Sequence, residues 1–542
     1  MLEQLNLRNA FSRVDSDMRD DVLQDVVGFR DYKINIEENL EIIRNNILLG
    51  PKYTPQTPLL IEKPKPNFAV RPGIVPDISD RILYQAIADL YIENFSAEPS
   101  VFSNVKNSVT NREVFRQGVN CWLDFQKAVA IGCSTSKYVV ETDITAFFDH
   151  IHHDDLQLTL VDIGKEHFTT KEINVTNQLL KNLLTKWSSI IYHSRFGIPQ
   201  INDASSFFAQ VYLDKFDKWC DLQRFHYCRY VDDMRFFCNS EYEARSTLVE
   251  VIAKLRKMGL YVSAQKTRII ESAKLNAEIL PDGEKLKEID KQLISRNPDL
   301  MEAASSDLFT YFESLLSKPN QIDKGIFRFC LNRFKRIAVT GLKETNHPVA
   351  IEACLSRLIS NPDSTDVFKD YLAIFRQDDS IQLRVIEFLE SKFNVYPWQS
   401  MELLQLLVRM EISSKLKKRI ARLANMFVRL NRNSGEVGQA IILLGKNGNY
   451  ASRDLITNMY TARNDEHVNK AIILSVQELT TNVKKRFFDR VANDSPRLLG
   501  MTNYVKTFQK PQYHFYNPPN PYPLTMVEDS DDLYELGSEY FL

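Results

Sequence analysis

An α+β layer built on one antiparallel sheet, followed by an all-α repeat domain, is the fold class that this sequence predicts. Three observations carry it. Between residues 137 and 275, short β-rich runs alternate with amphipathic helical patterns. After about residue 285 the strand signals vanish, and helix pairs recur with short polar breaks. At 542 residues the chain is too long for one compact domain and suits two or three.

Residues 1–50 are expected to be helical, with apolar positions at helical spacing in "DVLQDVVGF" and "NLEIIRNNILL". The next stretch, "PKYTPQTPLLIEKPKPNFAVRPGIVPD", is expected to be extended. Each proline removes a backbone donor and disfavours helix before it. Ser79 is placed as the cap of a helix, "DRILYQAIADLYIENF". "KYVVETDI" reads as a strand, and "DASSFFAQVYLDKFDKWCDL" as a helix opened by an aspartate. "HYCRYV" and "MRFFC" are two strand-like runs separated by Asp232 and Asp233. Two residues between strands is hairpin spacing, and aspartate tolerates turn conformations. The helix "EYEARSTLVEVIAKLRKMGL" then leads into "YVSAQKTRII".

Farther on, "VFKDYLAIF" pairs with "SIQLRVIEFLES", and "SMELLQLLVRM" with "SKLKKRIARLANMFVRL". Their irregular period of roughly 30–40 residues falls in the range of HEAT-like solenoids, with a plain helical bundle as the alternative. The tail is Pro- and Tyr-rich, then acidic, and too aromatic for a simple disordered linker. It is expected to wrap over the body or a neighbouring subunit. These shifts set boundaries at 1–50, 51–284, 285–504 and 505–542.

The apolar fraction of 44% and charged fraction of 25% are those of a folded soluble protein. A net charge of −2 carries no basic signature, so any nucleic-acid contact needs positive charge gathered locally. Seven cysteines without a CxxC pair argue for reduced thiols, against a disulfide framework or zinc site. The first residues lack a signal-peptide core, and no window nears the ~18 apolar residues of a spanning helix. The expected location is cytoplasmic, with no membrane partner.

Two carboxylates at a hairpin tip, Asp232 and Asp233, would project from one end of a sheet. Asp143 ends another strand-like run, in "YVVETDITAFFDH". Two strand-borne aspartate sites on one sheet can converge on divalent cations. Mg²⁺ prefers hard oxygen ligands and commonly takes one or two carboxylates plus substrate phosphates. A pair of such ions activates an attacking oxygen and stabilises a leaving one during phosphoryl transfer. A bare "DD" favours a solvated turn; the flanking apolar strands and the partner acid favour a metal site.

Those residues lie in motifs of a known family. "YVDD" (230–233) resembles motif C of reverse transcriptases, and "DITAFFD" (143–149) resembles motif A. "GIPQ" (197–200) with its following helix is similar to motif B, and "GLYVSAQKTRI" (259–269) to motif D. "KPKPNFAVRPGIVPDISDRILYQAIADL" (63–90) looks like the fingers motifs, and the resemblance spans roughly residues 50–275. It implies a right-hand polymerase fingers and palm. Asp143 and Asp232 would then be the metal-binding carboxylates, with Asp233 the neighbouring acid and the Ile144 carbonyl a further ligand. Two Mg²⁺ ions, replaceable by Mn²⁺, are the implied cofactors, and dNTPs the implied substrates. Phe148 takes the sugar-sensing position that favours dNTPs over rNTPs, while Phe147 is expected in the core. Lys65 and Arg71 would hold the triphosphate, and Gln200 would sit against the incoming nucleotide. Lys266 is the candidate to protonate or stabilise the leaving pyrophosphate.

Two departures modify that reading. After "PQ" the family usually has Gly, whereas Ile201 stands here, followed by Asn202 and Asp203. A branched side chain there would crowd the usual template track. In place of a small three-helix thumb comes the long helical array. A reverse-transcriptase core joined to a HEAT-like domain resembles the abortive-infection, anti-phage reverse transcriptases of the AbiK type. That resemblance implies DNA synthesis without a nucleic-acid template, primed by a protein hydroxyl, in a homo-oligomer. Tyr32, Tyr53, Tyr513, Tyr516, Tyr522, Tyr534 and Tyr540 are the candidates for covalent attachment of the DNA product. The alternatives are a conventional retron- or intron-like enzyme, partnered by an RNA template or non-coding RNA, and a non-catalytic helical-repeat scaffold with an inactive core.

Weaker signals complete the reading. "DHIHHDD" (149–155) is expected to be acids near a helix N-terminus with exposed histidines. "KLKKRIARLANMFVRLNR" (415–432) is a basic amphipathic helix, either lining a channel for an acidic strand or forming a solvated face. Arg229 and Arg235 flank the aspartates as local charge balance.

Overall fold

A computed structural model of the protein describes residues 5–18, 21–107, 114–116, 118–191, 195–200, 202–278, 283–295, 297–317, 324–342 and 345–515. The chain divides into two compact units. The first comprises Met1–Asp21, Leu40–Leu59 and Gly73–Glu284, and the second Val22–Asn39, Leu60–Pro72 and Lys285–Leu542.

Six strands are present among the described residues. β1 (Leu59–Pro64) and β2 (Val70–Val75) make a two-stranded sheet. β3 (Tyr138–Asp143), β4 (Tyr227–Tyr230), β5 (Asp233–Cys238) and β6 (Arg268–Glu271) make a four-stranded sheet in the order β4-β5-β3-β6. All its pairings are antiparallel. Every residue of β4 and β5 is buried, the charged Arg229, Asp233 and Arg235 included, so neither strand alternates between buried and exposed positions.

Helices cover the sheet closely. On the helix Gly118–Thr135, a Cβ added at Gly132 would lie 2.3 Å from the Phe237 ring, so only glycine lets this helix approach β5. On the opposite face of β5, Phe236 stacks on Tyr227 with ring centroids 5.4 Å apart. The helices Ile78–Ile92 and Asp203–Leu222 meet where the Tyr84 ring packs on Phe208 and its hydroxyl lies 3.1 Å from Ser205 Oγ.

Two local expectations are corrected. The helix Ile78–Ile92 is capped by Asp77, whose side chain accepts from the Ser79 N–H; Ser79 already lies inside the helix. The segment 21–29 is not helical. Asp25 Oδ1 accepts from the Val27 and Phe29 N–H groups, and Phe29 adopts a φ of 53°. A short side chain that bonds its own following backbone competes with helix, and here it wins. Val26 and Val27 are instead buried in the core of the second unit.

Apart from residues 60–72 of the β1–β2 hairpin, the regular structure of the second unit is helical among the described residues. Within it the helices Lys324–Thr340, Thr365–Leu372, Pro397–Arg409, Ser434–Asn447 and Glu466–Ser475 pack one on the next. Helices Asp379–Leu389, Lys417–Leu430 and Tyr450–Thr457 alternate with them along the chain. Tyr513 is buried against this unit, its hydroxyl donating to Glu478 Oε1 at 2.6 Å. The rest of the tail, from 516, lies outside the described residues, with Tyr516, Tyr522, Tyr534 and Tyr540. All seven cysteines are unpaired and buried. Among the described residues, no helix is long and apolar enough to cross a membrane.

Candidate active site

The register of the four-stranded sheet assembles the acids. Asp143 on β3 stands directly opposite Asp233 on β5, and Glu141 opposite Arg235. Residues two apart on a strand share a face, so all four side chains lie on one face of the sheet.

The hairpin turn differs from expectation by one residue. Tyr230 pairs with Asp233, so the two turn residues are Val231 and Asp232, and Asp233 is the first residue of β5. Val231 takes a φ of 50°, a left-handed conformation that a β-branched residue adopts only under constraint. Arg229 supplies that constraint. Its Nη1 donates to the Val231 carbonyl at 2.6 Å. Its Nε and Nη2 grip the two oxygens of Asp217, on the helix Asp203–Leu222, at 3.0 and 2.5 Å. Arg229 is fully buried, and Tyr227 also donates to Asp217. The arginine expected to balance charge is thus a clamp that aims the turn and its Asp232.

Charge is shared unequally among the acids. Arg235 takes the Asp233 carboxylate in a two-pronged pair and also holds Glu141 Oε1 at 2.6 Å. The other Glu141 oxygen accepts from Arg268 Nε. Asp143 Oδ2 lies 3.3 Å from Lys266 Nζ. Asp232 makes no ion pair among the described residues. Its carboxyl is pushed up to about 8 by burial and by the neighbouring charges of Asp143 and Asp233. Burial also raises Asp143 and Asp233, against the pull of Lys266 and Arg235 respectively.

Lys266 reaches the site on a segment stitched to the end of β3. The Ser263 N–H donates to the Asp143 carbonyl and the Thr145 N–H to the Tyr261 carbonyl, each at 2.7 Å. Ile144, between them, is buried and bridges to Val262. Thr142 Oγ1 and Thr267 Oγ1 lie 2.8 Å apart.

The structure also joins Phe148 to the "GIPQ" segment. The Phe148 carbonyl accepts from the Ile198 N–H at 3.1 Å, and Gln200 Nε2 donates to Asp149 Oδ1 at 2.8 Å. Phe147 is buried, whereas Phe148 is half-buried. The histidines behind them are not all exposed as expected. His153 is buried, with Nε2 2.7 Å from the Gly197 carbonyl. A carbonyl only accepts, so Nε2 carries the proton. Ile201 lies outside the described residues; Asn202, next to it, caps the following helix through the Ser205 N–H.

Lys65 and Arg71 sit on the β1–β2 hairpin, whose residues 60–72 belong to the second unit, whereas the other expected site residues belong to the first. The basic helix Lys417–Leu430 is likewise in the second unit. Ile420, Leu423, Ala424 and Phe427 are its buried side, and Arg422, Asn425, Met426, Arg429 and Leu430 line a shallow groove of about 560 Å³ on it.

Sequence reasoning passed over Glu141, Asp217 and Arg268. A usable signal was present for Glu141: it stands two residues before Asp143, on the same strand face. Asp217 and Arg268 become meaningful only once the sheet and helix are assembled.

Residues 61–289 match the family model described as "Reverse transcriptase (RNA-dependent DNA polymerase)". No curated protein matches the chain. Among solved structures, apo telomerase from Candida tropicalis matches with a TM-score of 0.31 and 13% identity, over 70% of this chain and 67% of that one. Telomerase from the same organism in complex with a TWJ fragment of telomeric RNA matches with a TM-score of 0.30 and 13% identity, over 86% and 67%. Residues 61–289 carry a reverse transcriptase domain, a nucleotidyltransferase domain of that class.

Proposed function

We propose that the first unit is a DNA polymerase that transfers nucleotidyl groups from dNTPs at Asp143 and Asp232. The observation that carries this is the incompletely compensated pair itself. Asp233 is neutralised by Arg235, while Asp232, which makes no ion pair among the described residues, is held up to about 8 despite the partial pull of Lys266. Such an arrangement costs stability unless positive charge arrives. Among the described residues no group of three or more His, Cys, Asp or Glu forms a ready metal cage. Two aspartate side chains nevertheless fit Mg²⁺, which completes its hard oxygen shell with water and substrate phosphates. The Ile144 carbonyl is the proposed additional donor.

Two Mg²⁺ ions, when bound, would supply activation of the attacking hydroxyl and charge neutralisation on the leaving pyrophosphate. The chain's own residues do the rest. Arg229 fixes the turn that aims Asp232, and Arg235 keeps Asp233 aligned in the ladder. Lys266 supplies a proton or positive charge to the leaving group. Phe148 walls the sugar position against a 2′-hydroxyl, with Gln200 held beside it through Asp149. Lys65 and Arg71 are proposed triphosphate ligands on the resemblance of their segment.

The synthesis is proposed to be non-templated and protein-primed, within a homo-oligomer acting in anti-phage defence. Ile201 in place of glycine and the helical unit in place of a thumb support it. The stacking of alternate helices supports a HEAT-like repeat. Tyr53, which donates to Asp80, and Tyr513, which donates to Glu478, are buried, and this disfavours these two as primers. Purified protein incubated with labelled dNTPs and Mg²⁺, without nucleic acid, should acquire label that migrates with the denatured chain. Asp232→Ala should acquire none. A second reading, RNA-templated synthesis, is favoured by the description of the matched family. Extension only of an added RNA-templated primer, with the protein unlabelled, would establish it instead.

A further inference from the structure

Glu141 stands at the centre of a row of charge that crosses three strands of the first unit. On β3 it is the direct partner of Arg235 on β5 and of Arg268 on β6. Its Oε1 lies 2.6 Å from Arg235 Nη2, and its Oε2 accepts from Arg268 Nε. Beyond Arg235 the row ends on Asp233, whose two oxygens accept from Nη1 and Nη2 of the same guanidinium. Arg235 Nη1 also donates to the Met234 carbonyl at 3.1 Å, and the Phe125 ring lies 5.9 Å from the guanidinium carbon. Glu141, Arg235 and Asp233 are buried, whereas Arg268 closes the row at the exposed side, with 49% of its side chain open.

What lies beside Glu141 gives the row its consequence. Asp143 follows two residues on along the same face of β3, roughly 7 Å away. It is the diagonal neighbour of Arg235, and diagonal positions in an antiparallel pair are within reach of a long side chain. The charge of Arg235 already acts on Asp143 as well as on Asp233. A guanidinium is charged at every working pH and grips carboxylates in two-pronged pairs, so it competes strongly for any carboxylate it reaches. Lys266, 3.3 Å from Asp143 Oδ2, is a weaker rival: its side chain is 54% exposed, and an ammonium makes a point contact that an incoming cation displaces. Glu141 occupies the Nη2 group that would otherwise turn to Asp143, and Arg268 holds Glu141 from the other side.

We propose that Glu141 is a positioning residue of the active site: by holding Arg235 across the ladder, it keeps the guanidinium off Asp143 and leaves that carboxylate open to a divalent cation. This rests on the reading of Asp143 and Asp232 as the metal-binding pair given above. A residue that ligates nothing thereby sets metal affinity. Loss of Glu141 weakens metal binding through Arg235, and only while Arg235 is present. A residue that merely stiffened the sheet, or attracted the cation by its own charge, would matter equally with Arg235 removed.

The test is binding of Mn²⁺ alone to the full chain, followed by the EPR signal of the free ion with no nucleotide or nucleic acid present. Glu141→Gln should raise the Mn²⁺ Kd by about tenfold. Glu141→Asp keeps the charge but draws the carboxylate back from Arg235, and should raise Kd by about threefold. In an Arg235→Gln background, Glu141→Gln should change Kd by less than about threefold, because the competitor is gone. Incorporation of dNTP by Glu141→Gln should return to within about threefold of wild type at saturating Mg²⁺, since competition yields to excess cation. Asp143→Ala is the control for the underlying reading. If Asp143→Ala weakens Mn²⁺ binding while Glu141→Gln and Glu141→Asp leave it unchanged, the positioning role is overturned and the metal-site reading stands. If Asp143→Ala binds Mn²⁺ as wild type does, both fail. Equal weakening by Glu141→Gln with and without Arg235 would assign the effect to Glu141 alone and likewise overturn the proposal.

Discussion

Asp143 and Asp233 face each other as direct antiparallel partners on β3 and β5, with Glu141 and Arg235 the next facing pair on the same side of the sheet. Like charges placed directly opposite repel, and here Arg235 takes up Asp233 while Lys266 lies against Asp143. The consequence is a division among three neighbouring acids: one neutralised by arginine, one held near Lys266, and one, Asp232, without an ion pair among the described residues and proposed to meet the incoming cation.

That division predicts unequal mutational effects. Asp143→Ala and Asp232→Ala should each lower dNTP incorporation by about a thousandfold or more, since each removes a proposed metal ligand. Asp233→Asn removes a charge already matched by Arg235 and should cost only about 10–100-fold. Incorporation rates at saturating Mg²⁺ provide the comparison.

A pH signature follows from Asp232. Its carboxyl is raised in the fold to about 8 from an ordinary value of 3.8. Between those values the unfolded chain has released the proton and the fold retains it, so metal-free stability falls as pH rises through this window. Asp232→Asn removes the effect. In EDTA, its gain in Tm over wild type should be small at pH 4 and grow steadily to pH 8. Mg²⁺ at pH 8 should narrow the gap by stabilising wild type alone. Thermal melts across this range measure both, and a gap independent of pH would count against the assignment.

The clamp on the turn has its own test. Arg229→Met leaves the buried Asp217 without its cationic partner, with only the Tyr227 hydroxyl still donating to it, and should destabilise the protein by about 3–5 kcal/mol. Adding Asp217→Asn should recover part of that, because the two losses share one interaction. Urea unfolding of the single and double variants reports the coupling. Incorporation should stay low in both, since neither restores the bond to the Val231 carbonyl.

Sugar selection should map to one of two adjacent rings. Phe148→Ala should raise rNTP incorporation relative to dNTP by about tenfold or more, by opening the space beside the 2′ position. Phe147→Leu, a change in the buried core, should lower stability and leave the ratio unchanged. Competition between dNTP and rNTP in one reaction gives the ratio directly.

The strands and the acids were legible because their signals are local: apolar and aromatic runs, an aspartate at a strand end, and a short turn between two runs. The one-residue shift of the turn was not, because it depends on Arg229 finding Asp217 on a helix twelve residues back. The segment 21–29 misled for the same kind of reason. Its helical spacing is real, yet Asp25 bonds the following backbone and reaches Lys470 at 2.9 Å, which fixes a turn. Membership of the β1–β2 hairpin in the helical unit rests on Lys63 and Asp366, 303 residues apart, a pairing no local pattern announces.

The central claim, metal-dependent nucleotidyl transfer at Asp143 and Asp232, is tested most directly by one measurement. Wild type, Asp143→Ala and Asp232→Ala are each incubated with labelled dNTPs, with Mg²⁺ or EDTA, both without nucleic acid and with a primed RNA template. Incorporation by wild type that requires Mg²⁺ and disappears in both variants is the predicted result. No incorporation by wild type under either condition, or incorporation that survives in either folded variant, would contradict it.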